Sequence, residues 1–135
     1  MNQKVKDIFA ESMLATLATV NEDGSPWSTP VHIVADEDAI YWFSSEEAQH
    51  SGNLARDERV SVTLFSRDES RGPKGVYING KAEKVSDDAR NATVSLYAAR
   101  AGRFPNAFSE MAAYKVQIGA LNEQKSTSNC WYFYS

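Results

Sequence analysis

The chain has 135 residues, 42% hydrophobic and 24% charged, and fourteen basic against eighteen acidic side chains leave a net charge of −4. These values describe one globular domain spanning 1–135, large enough to bury a core without disulfides, and exclude a disordered or fibrous chain. The acidic balance argues against a nucleic-acid partner, and a single cysteine, Cys130, excludes an intramolecular disulfide or a Cys-rich metal site.

Apolar runs such as Ile40-Tyr41-Trp42-Phe43 fall far short of the ~20 residues that span a membrane. Glu11, Thr16 and Thr19 break up the sequence after the basic start, so no apolar leader core forms. The expectation is a soluble cytoplasmic protein with no membrane partner.

Val5, Ile8, Phe9 and Met13 recur at helical spacing and predict a short amphipathic helix. Leu14 to Val20 switches to a period of two, and Asp23-Gly24 between this run and the next predicts a hairpin. In the strand Trp27 to Val34, Pro30 has no ladder donor, so an edge, a bulge or a cofactor is expected beside it. Asp36-Glu37-Asp38 makes the next turn, and Ala39 to Ser45 is an aromatic strand. Ser44 and Glu47 have the spacing of a capping box, which predicts a helix from there to about Arg56. Val60 to Phe65 alternates again, and Ser66 to Lys74, rich in charge, Ser, Gly and Pro, reads as an exposed loop. Val76 to Val85 is a strand in which Gly80 marks a bulge or a close backbone approach. Ser86 or Asp87 caps a helix to about Ala101, with Gly102 just past its end. Arg103 to Met111 reads as a short irregular helix, Tyr114 to Ala120 as a half-buried strand and Asn129 to Ser135 as a last strand. Seven short strands and two or three helices, with hairpins joining the first strands, predict an antiparallel sheet or barrel with helices at its side.

Most catalytic arrangements are absent. His32 and His50 sit in no metal-ligand spacing, and no nucleophile elbow, Walker loop or Rossmann fingerprint occurs, so no metal is expected. Two hydroxyls and exposed amide groups converge at Ser44 and Ser45, where a strand hands over to a helix, with Gln49 and His50 close behind. That pattern suits an anion such as a phosphate, and it equally suits a plain helix cap with a surface histidine. Trp131, Tyr132, Phe133 and Tyr134 read as core on one face of a strand and subunit contact on the other, and Cys130 as a small buried hydrophobe.

The order of several motifs adds to this reading: Leu17-Ala18-Thr19-Val20, Asp23-Gly24, Pro26 to Val31, Tyr41 to Ser45, His50 to Leu54, Asp57 to Val62 and Gly80-Lys81-Ala82-Glu83. Together they resemble the pyridoxamine 5′-phosphate oxidase-like, FMN-binding split-barrel family over roughly residues 12–86. The resemblance implies a mainly β (α+β) fold, a six-stranded antiparallel Greek-key split β-barrel with flanking helices. It also implies a homodimer with two FMN sites at the subunit interface and flavin-mediated hydride transfer with a small-molecule substrate or electron donor. Carried over by position, Thr29, Pro30 and Val31 would lie along the isoalloxazine edge. Phe43, Ser44 and Ser45 would meet the ribityl chain and phosphate, and Gln49 and His50 would complete the phosphate pocket. Asn53 and Leu54 would anchor the helix, and Gly75 and Trp131 would approach the flavin from the partner subunit. No side chain is obliged to act as a general base, so none is named catalytic.

The chain departs from the pattern in two places. Some members carry Arg or Lys where Thr29, Gln49 and His50 stand, and no basic residue follows Lys125, so the resemblance does not extend to vitamin B6 oxidation. The same barrel also serves a flavin or haem carrier or sensor, with His32 or His50 as an axial ligand, or a deazaflavin-dependent reductase.

Overall fold

Strand β1 (Leu14–Val20) has the span its alternation predicts, with Ala15, Leu17 and Thr19 turned inward. The computed structural model to which it belongs describes residues 3–65, 75–118, 122–127 and 130–134. The expected loop Ser66 to Lys74 lies outside the described residues, as do the side chains of Cys130 and the four aromatics after it.

From β1 the chain turns through Asn21–Ser25 into β2 (Pro26–Ala35). Gly24 takes φ +88°, a conformation closed to most side chains, and Asp23 Oδ1 accepts from the Ser25 amide. β3 (Ala39–Ser44) follows, then α2 (Gln49–Arg56), which carries the chain back to β4 (Arg59–Phe65) on the far side of β1. The spatial order β4-β1-β2-β3 is a Greek key. β5 (Gly75–Lys84) pairs with β4, and β6 (Ala112–Gln117) joins β5 to β3, so six antiparallel strands close into a barrel. Its interior is apolar, built from Leu17, Ile33, Ile40, Trp42, Val62, Ile78, Val116 and their neighbours.

Three helices cover this barrel. The first, α1 (Gln3–Glu11), drives Val5 and Ile8 into one end of the core. At the other end α2 lays Leu54 in from above. Against the outer face of β3 packs α3 (Asp87–Ala101), capped by Ser86 Oγ accepting from the Ala89 amide and closed by Gly102 at φ +84°. It covers Val34, Phe43 and Ala113 with Tyr97, and this explains why β3 is buried on both faces. A single 3₁₀ turn, Asn106–Phe108, is all that is regular in the expected irregular helix.

Several expectations need correction. The capping box does not form: α2 starts five residues after Ser44, its N-cap is Ala48 without a side-chain cap, and Ser45 Oγ accepts instead from the Glu47 amide in a local turn. Serine competes for nearby amides in turns as readily as at caps, and the turn wins here. Gly80 makes no bulge, because β4 and β5 stay in register from Arg59↔Lys81 to Phe65↔Gly75. The sixth strand begins two residues early and buries Ala112, Ala113 and Tyr114 in succession, since both its faces are covered there. There are eight described strands rather than seven: the polar run Asn122–Thr127 forms β7, and β8 (Cys130–Tyr134) pairs with β5 in parallel rather than antiparallel fashion.

Candidate cofactor site

The ladder between β2 and β3 is short. It runs Ala35↔Ile40, Val34↔Tyr41, Ile33↔Trp42 and stops, although β2 extends back to Pro26 and β3 on to Ser44. Past that point the two strands present edges that pair with no strand among the described residues. Thr29, Pro30 and Val31 lie on the free stretch of β2, held only by β1 through Leu17↔Thr29, Thr16↔Pro30 and Ala15↔Val31. Proline is tolerated there because a free edge asks for no donor. Val31 points into the core and Thr29, on the same face, is half-buried, so this stretch offers a ligand chiefly its main chain.

Across the split, β3 ends in Ser44, which is buried and paired with Ala112. The first turn of α2 brings His50 over it: His50 Nε2 and Ser44 Oγ are 2.8 Å apart. Burial lowers the pKa of His50 below the ordinary histidine value, because the cation loses hydration and gains no carboxylate in return. The ring is therefore neutral at neutral pH. Gln49 turns the other way, donating from Nε2 to Asn21 Oδ1 at 3.1 Å and to Asn53 Oδ1 at 3.3 Å. Asn53 is buried and donates to Thr19 Oγ1 at 3.0 Å and Asn21 Oδ1 at 2.9 Å, while Arg56 donates to the Val20 carbonyl. With Leu54 inward, these contacts fasten α2 over the barrel mouth, as expected of Asn53 and Leu54.

The structure thus brings Ser44 and His50 together and sets Thr29, Pro30 and Val31 on the neighbouring open edge. Ser45 is exposed and spends its hydroxyl on its own turn. Phe43 has its ring elsewhere: on the outer face it meets Phe104 at 4.9 Å, Tyr97 at 5.7 Å and Phe108 at 5.9 Å, with the Arg90 guanidinium 5.5 Å from its centroid. Period two sends adjacent strand residues to opposite faces, so Phe43 and Ser44 cannot both face one ligand with their side chains. Gly75 lies at the opposite end of the barrel from Ser44, where β5 begins. One group escaped notice in the sequence: Ser51, next to His50, buries an Oγ with no hydrogen-bond partner among the described residues. A buried hydroxyl left unpaired beside a polar site is the kind of atom a ligand or water satisfies. Helical serines are common, so no sequence signal marks it.

A cavity of about 630 Å³ opens elsewhere, between α1, the β2–β3 turn and the end of α3. Phe9, Met13, Val34 and Arg100 line it, Lys6 and Glu37 close on each other there at 2.7 Å, and none of the expected cofactor-binding residues lines it. Among the described residues no helix is long and apolar enough to cross a membrane.

A family model described as pyridoxamine 5′-phosphate oxidase matches residues 1–125. The chain belongs to that family. No curated protein matches it in sequence. Among solved structures, a protein of unknown function from Agrobacterium tumefaciens superposes with a TM-score of 0.73 at 24% identity over 84% of this chain, which spans 51% of that protein's length. The haem storage protein HutZ of Vibrio cholerae superposes with a TM-score of 0.72 at 19% identity, covering 84% of this chain and 87% of the other. A FAD-binding protein of Mesorhizobium loti does so with 0.69 at 18% identity, covering 86% and 88%. At such identities the likeness is one of fold, and the family's split barrel is the fold found here.

Proposed function

We propose that the chain binds FMN at the split between β2 and β3 and serves as a small flavin-dependent oxidoreductase. The observation that carries this reading is the Ser44–His50 pair at the end of β3, set beside the unpaired edge of β2. Free main-chain groups of Thr29 to Val31 suit the polar rim of an isoalloxazine. Ser44 Oγ and a neutral His50 suit the oxygens of a ribityl phosphate. Membership of the family and the FAD-binding structural neighbour support the choice of a flavin. When bound, the flavin supplies the redox chemistry by exchanging a hydride with a small-molecule substrate or electron donor. The chain's own part is to bind and orient: the free edge of β2 fixes the ring, the end of β3 and the start of α2 hold the tail, and Asn53 with Leu54 keeps α2 in place.

The functional unit we propose is a homodimer in the cytoplasm. On the outer face of β1 and β4, Leu14 is 46% and Phe65 57% exposed. Thr16 pairs with Thr63, so Leu14 and Phe65 stand at the same end of that face, which a second copy would cover. A second reading, a haem-binding carrier without turnover, draws on the likeness to HutZ and on His32, exposed opposite Leu14 on the same face. Absorption spectra after incubation with FMN or with haemin separate the two. Flavin bands retained through gel filtration support the first, and a Soret band lost in His32→Ala supports the second.

A further inference from the structure

Charge distinguishes this site from an ordinary phosphate pocket. Around the same mouth of the barrel every described basic side chain is already engaged. Arg56 donates to the Val20 carbonyl and Arg59 to Asp57. Lys81 faces Glu58 at 3.5 Å, Lys84 faces Glu46 at 2.8 Å and Lys115 faces Glu83 at 3.4 Å. The turn that leads from Ser44 into α2 carries Glu46 and Glu47, both exposed, and the β1–β2 hairpin adds Glu22 and Asp23. The donors at Ser44 itself are neutral: its own hydroxyl and the neutral imidazole of His50.

A phosphate monoester loses its second proton near pH 6 and then carries close to two charges. The cost of taking an ion out of water grows steeply with its charge, and neutral donors repay only part of it unless a cation stands opposite. Among the described residues no cation faces these donors, and the turn between Ser44 and α2 adds the exposed Glu46 and Glu47. We infer that the site selects a phosphate bearing a single negative charge: a phosphodiester binds as it is, and the monoester of FMN binds together with one proton. This rests on the flavin reading above and adds to it the charge state of the ligand and the class of tail the site prefers.

The test uses three probes on the full-length protein at low salt, followed by flavin fluorescence: riboflavin, FMN, and the methyl ester of FMN, a diester that stays singly charged. From about pH 6 to about pH 8 the FMN dissociation constant should rise about tenfold per pH unit, as uptake of one proton requires. The diester and riboflavin should stay level over the same range. A level FMN curve with all three probes bound overturns this inference and leaves the flavin reading standing. Failure of all three to bind overturns the flavin reading, and this inference with it. The double variant Glu46→Gln, Glu47→Gln changes two exposed turn residues and frees Lys84. It should tighten FMN binding severalfold at the alkaline end without affecting riboflavin, and an unchanged FMN affinity there overturns the electrostatic argument.

Discussion

The two ends of the barrel are closed by different chemistry. At the α1 end the plug is apolar: Val5 is 1% and Ile8 0% exposed, and both belong to the main core. At the α2 end Leu54 is the apolar contribution, and beside it Ser51 and Asn53 are buried with Thr19 and Ser44 beneath them. One end gains stability from burial alone. The other buries polar groups, which cost free energy wherever a partner is missing. Asn53, Thr19 and Asn21 satisfy one another, whereas Ser51 Oγ has no partner and His50 has only Ser44 among the described residues. The contrast teaches where to look for function in a small barrel: at the end where polarity is paid for and left incomplete.

The largest effect should come from the apolar end. Ile8→Ala should lower the unfolding free energy by about 2–5 kcal/mol, the usual cost of emptying a core isoleucine site. Urea titration measures it, and flavin affinity per folded molecule should not change. A shift in affinity would mean that the two ends are coupled.

Asn53→Ala should cost about 1–3 kcal/mol, because Thr19, Asn21 and Gln49 each lose a partner at the polar end. Unlike Ile8→Ala, it should also weaken flavin binding, since Asn53 fastens the helix that carries His50. Stability lost without affinity would separate the anchor from the site.

His50→Ala should reverse that balance. FMN affinity should fall about tenfold, equivalent to about 1.4 kcal/mol, while its pH dependence, set by the phosphate's own proton, should remain. Stability should move by less than about 0.5 kcal/mol, and riboflavin should bind as before. Equal FMN affinity in the variant and the parent would show His50 to be a bystander.

The smallest effect is in the free protein. Burial lowers the pKa of His50 in the folded state, so the unfolded chain binds the extra proton first as the solution is acidified. The stability owed to neutral His50 is complete above the unfolded value near pH 6.5 and is lost as pH falls through the lower folded value. Subtracting the pH–stability curve of His50→Gln from that of the parent should isolate this loss. Identical curves would place His50 in solvent.

Much of the fold could be read from local sequence, because the signals there are short-range. Alternation in Leu14–Val20, the Asp23-Gly24 turn, and the Ser86 and Gly102 caps each depend on a few neighbouring residues, and all appear in the structure. Pro30 pointed to an edge, a bulge or a cofactor for the same reason, and among the described residues no strand pairs with β2 there on the β3 side. The capping box misled because Ser44, Ser45 and Glu47 have the right spacing for two competing local bonds. The strand β7 was invisible because Asn122–Thr127 is polar throughout and forms against β8, a partner no local pattern announces.

By itself, then, the sequence determined the elements whose hydrogen bonds close within a few residues, and the order of motifs that marks the family. The tertiary structure alone decided which polar groups meet. It brought His50 onto Ser44 and Asn53 onto Thr19. It also turned Phe43 out to Tyr97 and Phe104, and it left the edge of β2 open. The physical reason is range: a cap or a turn is chosen by the nearest amides, whereas the face, the partner and the charge around a side chain are set by strands and helices that arrive from distant parts of the chain.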